Sequence, residues 1–430
     1  MKKIIVAGCG HGGLTAAANL AKKGFDVTVV EKCKREELGF DWHDSMCLKT
    51  FENAGLAVPD ESVFLPADRM SYYNPKKTVQ VIPDAPRSTS YAYIDRKILI
   101  NHLIDHAIEC GVKIMFECEI VSSICSFDYV LGIRYICGGE TKEMRGDLVI
   151  DACGMFSPVK LTLPDKFGVK NSVDSDEVFY AWRGYFNKTE ELYTDPESNI
   201  YFYHCNHRGM DWVITKNGYM DILVGGFGTL SKEDVIESLR DFRGEYPFLG
   251  TELLRGGSLE KIPLGKSLPV FVYNGYAAVG NSAYMTEPLS GSGIDMSIYA
   301  GKLLAETIVV CEDEYTVENL WMYNYLYIRH QSEKRYQSAI IKNLMSSLDG
   351  SDIDYLMEKK IMTQKEIAGT GKTTIFNTLA KALVIFRPRL YRPLITMFKK
   401  QKLAKKLKET LPENYSKAAV ESWAADYAQL

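Results

Sequence analysis

The chain has 430 residues and a mass of 48.5 kDa, with 46% hydrophobic and 25% charged residues and a net charge of −4. This excludes a disordered or fibrous polymer and allows two interlocked domains around a sizeable core. No run approaches the ~18 apolar residues of a membrane span, and ten cysteines scattered singly, with no Cys-x-x-Cys pair or Cys/His cluster at zinc spacing, lead us to expect free thiols, a cytoplasmic setting and no metal.

Met1–Ala7 is too short an apolar run for a secretory signal, and Lys3–Ala7 reads as a buried strand of β-branched residues. Gly8-Cys9-Gly10-His11-Gly12-Gly13 follows, then Leu14–Ala21, an alanine-rich helix that Gly24 stops. A second strand, Asp26–Val30, ends on Glu31. Strand, G-x-G-x-x-G, helix, strand and acid, all within about thirty residues, form a dinucleotide-binding unit. Gly8 permits the tight turn and Gly10 lets the backbone approach a pyrophosphate. Gly12 lies in the same loop, and Gly13 lets helix and strand pack closely. The helix start offers N–H groups and partial positive charge to phosphates. Glu31 accepts hydrogen bonds from ribose hydroxyls and would repel a 2′-phosphate, which argues against NADP.

Tyr93–Leu99 opens a helix with Arg96 at its start, followed by Gly111–Ile114 and then Glu119–Val121. Asp147–Gly154 is another strand ending in glycine. Gly275–Ala283 and Glu287–Ile294 bring a strand to a glycine turn and a glycine-rich loop to a helix running to about Val310. An NAD site is completed locally. FAD is longer, and a distant part of the chain must hold its ribityl chain and ring, so the second glycine segment favours FAD.

Two features lie near the C-terminus. Ala368–Thr374 has the look of a nucleotide P-loop, but Glu366 stands where that motif needs glycine and no strand precedes it, so no phosphate site is expected. Residues 387–408 carry nine Lys/Arg and no Asp/Glu. Leu390, Tyr391, Leu394, Met397, Phe398, Leu403, Leu407 and Leu411 fall at helical spacing beside them. Such a helix either lies on an anionic membrane or docks on the protein with a solvated basic face. Nucleic acid is not expected, because flanking aromatics and a known module are missing.

The two glycine segments resemble the FAD signatures of the p-hydroxybenzoate-hydroxylase-like flavoproteins, and within them the geranylgeranyl reductases. That resemblance implies that Asn281 holds a ribityl hydroxyl, although the family usually has Asp there. It also implies that the Gly293 and Ile294 amides face the flavin pyrimidine, that Arg96 contacts the cofactor and that Val121 lies by the adenine. The aromatic hydroxylases of this fold carry Asp and Arg where this chain has Cys153 and Lys160, which weakens that alternative. Met210–Gly218 keeps the tryptophan of the reductases' Tyr-x-Trp-x-Phe-Pro motif, Trp212, without its Tyr or Phe-Pro. Opposite the reductases' Cys-Gly pair stand Trp42 and His43. His43 is the nearest candidate proton donor, since saturating an alkene needs hydride and a proton. A solvated loop histidine and a strand-packing tryptophan are the plain readings of His43 and Trp212.

The resulting expectation is an α/β protein with a Rossmann-type, p-hydroxybenzoate-hydroxylase-like FAD domain assembled from 1–60, 95–165 and 275–310. A β-sheet substrate domain would occupy 61–94 and 166–274, and a helical region 311–430. The function expected is FAD-dependent reduction of a carbon–carbon double bond in an apolar, isoprenoid or lipid substrate. A monooxygenase or oxidase of a small hydrophobic substrate is one rival, and a flavin-holding membrane-associated protein without turnover is another. With no second G-x-G-x-x-G, the electron donor stays open. The expected location is cytoplasmic, with peripheral contact at the inner membrane face through 387–408.

Overall fold

The computed structural model describes residues 1–67, 70–82, 90–169, 175–189, 198–216, 218–312, 314–362 and 387–430. The P-loop-like segment at 368–374 lies outside these. β1 (Lys3–Ala7) and β2 (Asp26–Val30) pair in parallel, joined by the crossover helix α1 (His11–Ala21). β1 also pairs in parallel with β12 (Leu148–Asp151), Ile5 opposite Val149. With β8 (Lys113–Met115), β18 (Val272–Tyr273) and β19 (Tyr276–Ala278), these make a six-stranded sheet in the order β18-β19-β12-β1-β2-β8. Helices cover such a sheet, which is why its strands are continuous apolar runs. α3 (Arg96–Glu109) packs against α1 and is capped by Asp95, whose carboxylate accepts the Lys97 and Ile98 amides. β9 (Cys118–Cys125), β10 (Val130–Cys137) and β11 (Glu140–Arg145) form an antiparallel sheet, with α4 (Pro158–Leu161) on β9.

A small sheet, β3 (His43–Cys47), β7 (Tyr91–Asp95) and β4 (Phe64–Pro66), pairs His43 with Asp95. α2 (Lys49–Asn53) follows β3. The sheet joins residues on both sides of the expected 60/61 boundary. The third large element is a seven-stranded sheet. Its order is β17 (Leu249–Pro263), β13 (Val178–Lys188), β16 (Tyr219–Phe227), β15 (Gly209–Thr215), β14 (Ser198–Phe202), β5 (Met70–Tyr73) and β6 (Gln80–Val81). α5 (Lys232–Glu245) packs on β16 and β17, with Phe242 against Val213, Ile222 and Val224.

α6 (Ile294–Val310), α7 (Val317–Ser347) and α8 (Gly350–Glu358) lead to helices Tyr391–Thr410 and Lys417–Ala428. The C-terminal helices share the core of the nucleotide sheet, since Trp321, Leu407 and Trp423 lie in one buried cluster with Val6 and Val149. The seam Leu390, Leu394, Met397 and Leu407 of the basic helix is buried, whereas Ile395 is 55% and Phe398 40% exposed. Among the described residues no helix is long and apolar enough to cross a membrane.

Candidate functional site

The glycine loop is pressed between β12 and α6. Gly8 has φ +90°, and a Cβ on it would lie 2.7 Å from the Ala152 carbonyl oxygen. A Cβ on Gly10 would come within 2.9 Å of the same oxygen, and one on Gly13 within 2.6 Å of the Ala152 Cβ. On Gly12 it would meet Val279 Cγ2 at 2.5 Å and the Ser297 carbonyl oxygen at 2.7 Å. At the end of β2 the buried Glu31 carboxylate accepts the Cys9 amide at 2.8 Å and the Cys33 amide at 2.9 Å. A carboxylate has about four acceptor positions, so capacity remains for two ribose hydroxyls. β9 begins beside it, the Cys118 amide donating to the Glu31 carbonyl at 2.9 Å, with Val121 three residues on.

The second glycine segment meets the first. α6 begins at Ile294 after its cap Gly293, and the Ser297 carbonyl in its first turn is the one that crowds Gly12. A side chain on Gly301 would overlap the Gly12 carbonyl. The first turns of α1 and α6 therefore touch, and both present the unpaired amides of a helix start. Asn281 follows Gly280, whose φ is +66°, and its Oδ1 accepts the Thr286 hydroxyl at 2.9 Å. Thr286 in turn adjoins Gly293. Asp295 accepts the Thr50 hydroxyl at 2.8 Å and the Cys47 amide, tying the segment after β3 to the α6 start. Burial raises its carboxyl above the usual range.

Buried polar atoms near the loop would suit a bound ligand. His11 Nε2 and Arg96 Nε are buried without a hydrogen-bond partner among the described residues. Burial, and secondarily the Arg96 charge, hold the His11 imidazole well below its ordinary pKa, so it is neutral. Glycine cradle, helix-start amides, open carboxylate lone pairs and two orphaned nitrogens together fit FAD.

Arg96 also leads to the second cluster. Its Nη1 donates to Asp44 Oδ2 at 2.7 Å. The other Asp44 oxygen lies 3.4 Å from Nη1 of Arg183, a residue of β13 that is 3% exposed. Arg183 donates to the His43 carbonyl at 2.6 Å and grips Asp221 on β16 through Nε at 2.8 Å and Nη2 at 2.5 Å. Burial opposes its charge most, but Asp221 foremost, with Tyr185 and Asp44, together outweigh that and hold the guanidinium protonated. The Trp212 ring covers the same guanidinium at 4.9 Å, with Nε1 buried and unpartnered. The His43 amide donates to the Tyr185 hydroxyl at 2.9 Å, and that hydroxyl sits 3.4 Å from His43 Nδ1. Both sequence candidates, His43 and Trp212, thus border Arg183. His43 is no solvated loop residue: it is a half-buried β3 residue whose pKa burial lowers. Arg183, Asp221, Tyr185 and Asp295 escaped the sequence reading, whereas Asp44 stands where the reductases carry an Asp near the flavin. A charge inside the apolar run Val178–Phe186 was the signal for Arg183.

Lys160, in the hydroxylase-motif position, is structural. It is fully buried, donates to the Met155 carbonyl at 3.1 Å and the Ser282 carbonyl at 2.9 Å, and lies over the Tyr284 ring. Burial lowers its pKa from 10.5 to about 8. Between pH 8 and 10.5 the unfolded chain therefore binds a proton that the native one releases, and stability rises with pH across that window. At about 1.4 kcal/mol per pKa unit, wild-type stability minus that of Lys160→Met is expected to grow by about 3 kcal/mol from pH 7 to pH 10.5. Urea unfolding of both proteins at the two pH values checks this.

Residues 1–220 match the family described as FAD binding domain. A digeranylgeranylglycerophospholipid reductase of Methanococcoides burtonii is 25% identical over 375 residues, covering 82% of this chain and 86% of the relative. A protein of the same name from Sulfolobus acidocaldarius is 22% identical across 98% of this chain and 95% of its own. Among solved structures, a geranylgeranyl bacteriochlorophyll reductase-like protein from Thermoplasma acidophilum superposes with a TM-score of 0.72 at 19% identity, covering 92% of this chain and 99% of the other.

Proposed function

This chain belongs to the FAD binding domain family, and from that premise we propose that it reduces isoprenoid carbon–carbon double bonds in a membrane lipid of the digeranylgeranylglycerophospholipid kind. It is an FAD-dependent oxidoreductase. The observation that carries the substrate reading is likeness to a prenyl-lipid reductase along 98% of the chain, C-terminal helices included. Bound and reduced, FAD would supply the hydride for one alkene carbon, and the protein's own residues must bring a proton to the other.

The cofactor residues in this reading are Gly8, Gly10, Gly12, Gly13 and Glu31 for the adenosine and diphosphate, with Arg96 beside them. Val121 would lie by the adenine, Asn281 would meet the ribityl chain, and the Gly293 and Ile294 amides would meet the ring. His43 is neutral at pH 7, since burial lowers its pKa. It therefore acts as a relay: a proton taken up from solvent makes the imidazolium, which hands a proton to the alkene carbon and returns to neutral, while the Tyr185 hydroxyl 3.4 Å from Nδ1 orients the ring. Arg183 fixes the backbone of His43, and Trp212 closes the wall behind it. The lipid is reached from the membrane surface through 387–408, where Ile395 and Phe398 stay exposed among the basic residues. This gives the enzyme a cytoplasmic, peripheral location.

The test is anaerobic turnover with dithionite as reductant and the unsaturated lipid presented in anionic vesicles. Saturated product is expected, with His43→Phe slowed about 10²-fold at unchanged flavin content and Ile395→Glu slowed only on vesicles. No saturated product without oxygen, and an oxygenated product once air is admitted, would end the reductase reading.

A further inference from the structure

A second cluster lies on the face of the seven-stranded sheet covered by α5. Asp211 and Trp212 are neighbours on β15, so their side chains take opposite faces, and Asp211 points away from the Arg183 cluster. Between β14 and β15 the chain turns through Tyr203, Cys205 and Asn206, with φ of 49°, 48° and 64°. Three non-glycine residues in left-handed backbone within four positions is a costly arrangement, of the sort retained where side chains must be aimed. It directs His204 and Cys205 inward towards Asp241 of α5.

The His204 ring is 2% exposed and stacked on Phe242 at 4.3 Å. Its Nδ1 is 2.7 Å from Asp211 Oδ2, and the other Asp211 oxygen meets His207 Nε2 at 2.9 Å and the Gly225 amide at 3.2 Å. Asp211 is fully buried and thereby fixes the imidazole with Nε2 facing Asp241 Oδ2 at 2.8 Å. Cys205 Sγ is 3.7 Å from the same Nε2. The three donor atoms of His204, Cys205 and Asp241 lie within 4.8 Å of one another. A carboxylate behind the far nitrogen of a ligating histidine is the usual outer support of a zinc ligand. The Asp241 carboxylate is 45% exposed, which leaves an entry path. The position already attracts cations: the Lys77 ammonium sits 2.5 Å from Asp241, pairs with Glu245 and overlies the Tyr201 ring.

We propose that His204 Nε2, Cys205 Sγ and Asp241 form a binding site for one zinc-type divalent cation, with the fourth position open to water. One nitrogen, one sulfur and one oxygen donor suit that ion over magnesium or calcium, which take oxygen. The ion takes the place of the proton shared by His204 and Asp241 and of the Cys205 thiol proton, both released to solvent, while Lys77 swings onto Glu245. It clips α5 to the β14–β15 turn, behind the strand that carries Trp212.

Calorimetric titration of the full chain, stripped with a chelator and reloaded with flavin, tests this with zinc alone. Wild type is expected to bind one zinc per chain, Cys205→Ser and Asp241→Asn at least tenfold more weakly, and Lys77→Met more tightly because the competing ammonium is gone. The Lys77→Met gain cannot arise from misfolding. Zinc binding that is absent in both wild type and Lys77→Met, or that is unchanged in Cys205→Ser, overturns the site.

Discussion

Gly12→Val is expected to yield a protein that purifies without colour and melts well below the parent. Any Cβ at this position meets Val279 Cγ2 at 2.5 Å and the Ser297 carbonyl oxygen at 2.7 Å. A side chain can rotate away, but a main-chain carbonyl in the first turn of α6 cannot. The helices must separate, and with them the two amide-bearing helix starts that face one cofactor. Overpacking of this kind costs roughly 1–3 kcal/mol, and loss of bound flavin adds to it because a ligand held only by the native state stabilises that state. Gly24→Ala is the control. Nothing lies within 4 Å of a Cβ there, so only the backbone cost of φ +86° is felt. Flavin-to-protein absorbance ratios and thermal melts of both variants check the pair. A Gly12→Val protein with stoichiometric flavin sinks the reading of this loop as the cradle.

The legible parts of the molecule were those whose physics is local in sequence. The turn at Gly8, the helix start at His11 and the acid at Glu31 fall within one short unit, so spacing alone announces a dinucleotide. The second glycine segment was legible for a different reason: a cofactor longer than one unit needs a distant partner, and Gly275 to Val310 offered strand, turn and helix in the right order. Charge clusters assembled by pairing between strands were hidden. Arg183 opposes Leu223 in the β13–β16 register, with Asp221 two residues along the partner strand on the same face. No one-dimensional pattern ties either residue to Asp44 or Arg96. The same applies to His204 and Asp241, which lack metal-site spacing until α5 folds over the sheet. The domain boundary at 60/61 failed to anticipate β3 pairing with β7, because strands from separate segments recognise each other only through hydrogen bonding in space. For the basic helix the sequence offered docking or membrane. Burial of Leu394, Met397 and Leu407 shows the docked seam, and the exposure of Ile395 and Phe398 leaves a second strip that a period alone did not separate.

Arg183→Met is expected to cost about 3–5 kcal/mol, the usual penalty for removing one partner of a buried ion pair. The reason lies in what remains. Asp221 is 4% exposed and is left as a buried carboxyl group without either guanidinium bond. Asp44 retains Arg96, so its loss is smaller. Replacing both buried partners, as in Arg183→Met/Asp221→Leu, removes the stranded carboxyl group and should recover most of the stability, since apolar substitutes for a buried pair are often neutral or better. Recovery of the fold will not restore turnover. The His43 carbonyl still lacks its donor and Trp212 its cation, so the relay residue and the wall behind it stay unanchored in a stable protein. Denaturant unfolding at pH 7 beside lipid-reduction rates separates the two effects. A double variant as unstable as the single one would mean that packing, not charge, explains Arg183. A double variant with full activity would mean that the cluster has no part in positioning His43.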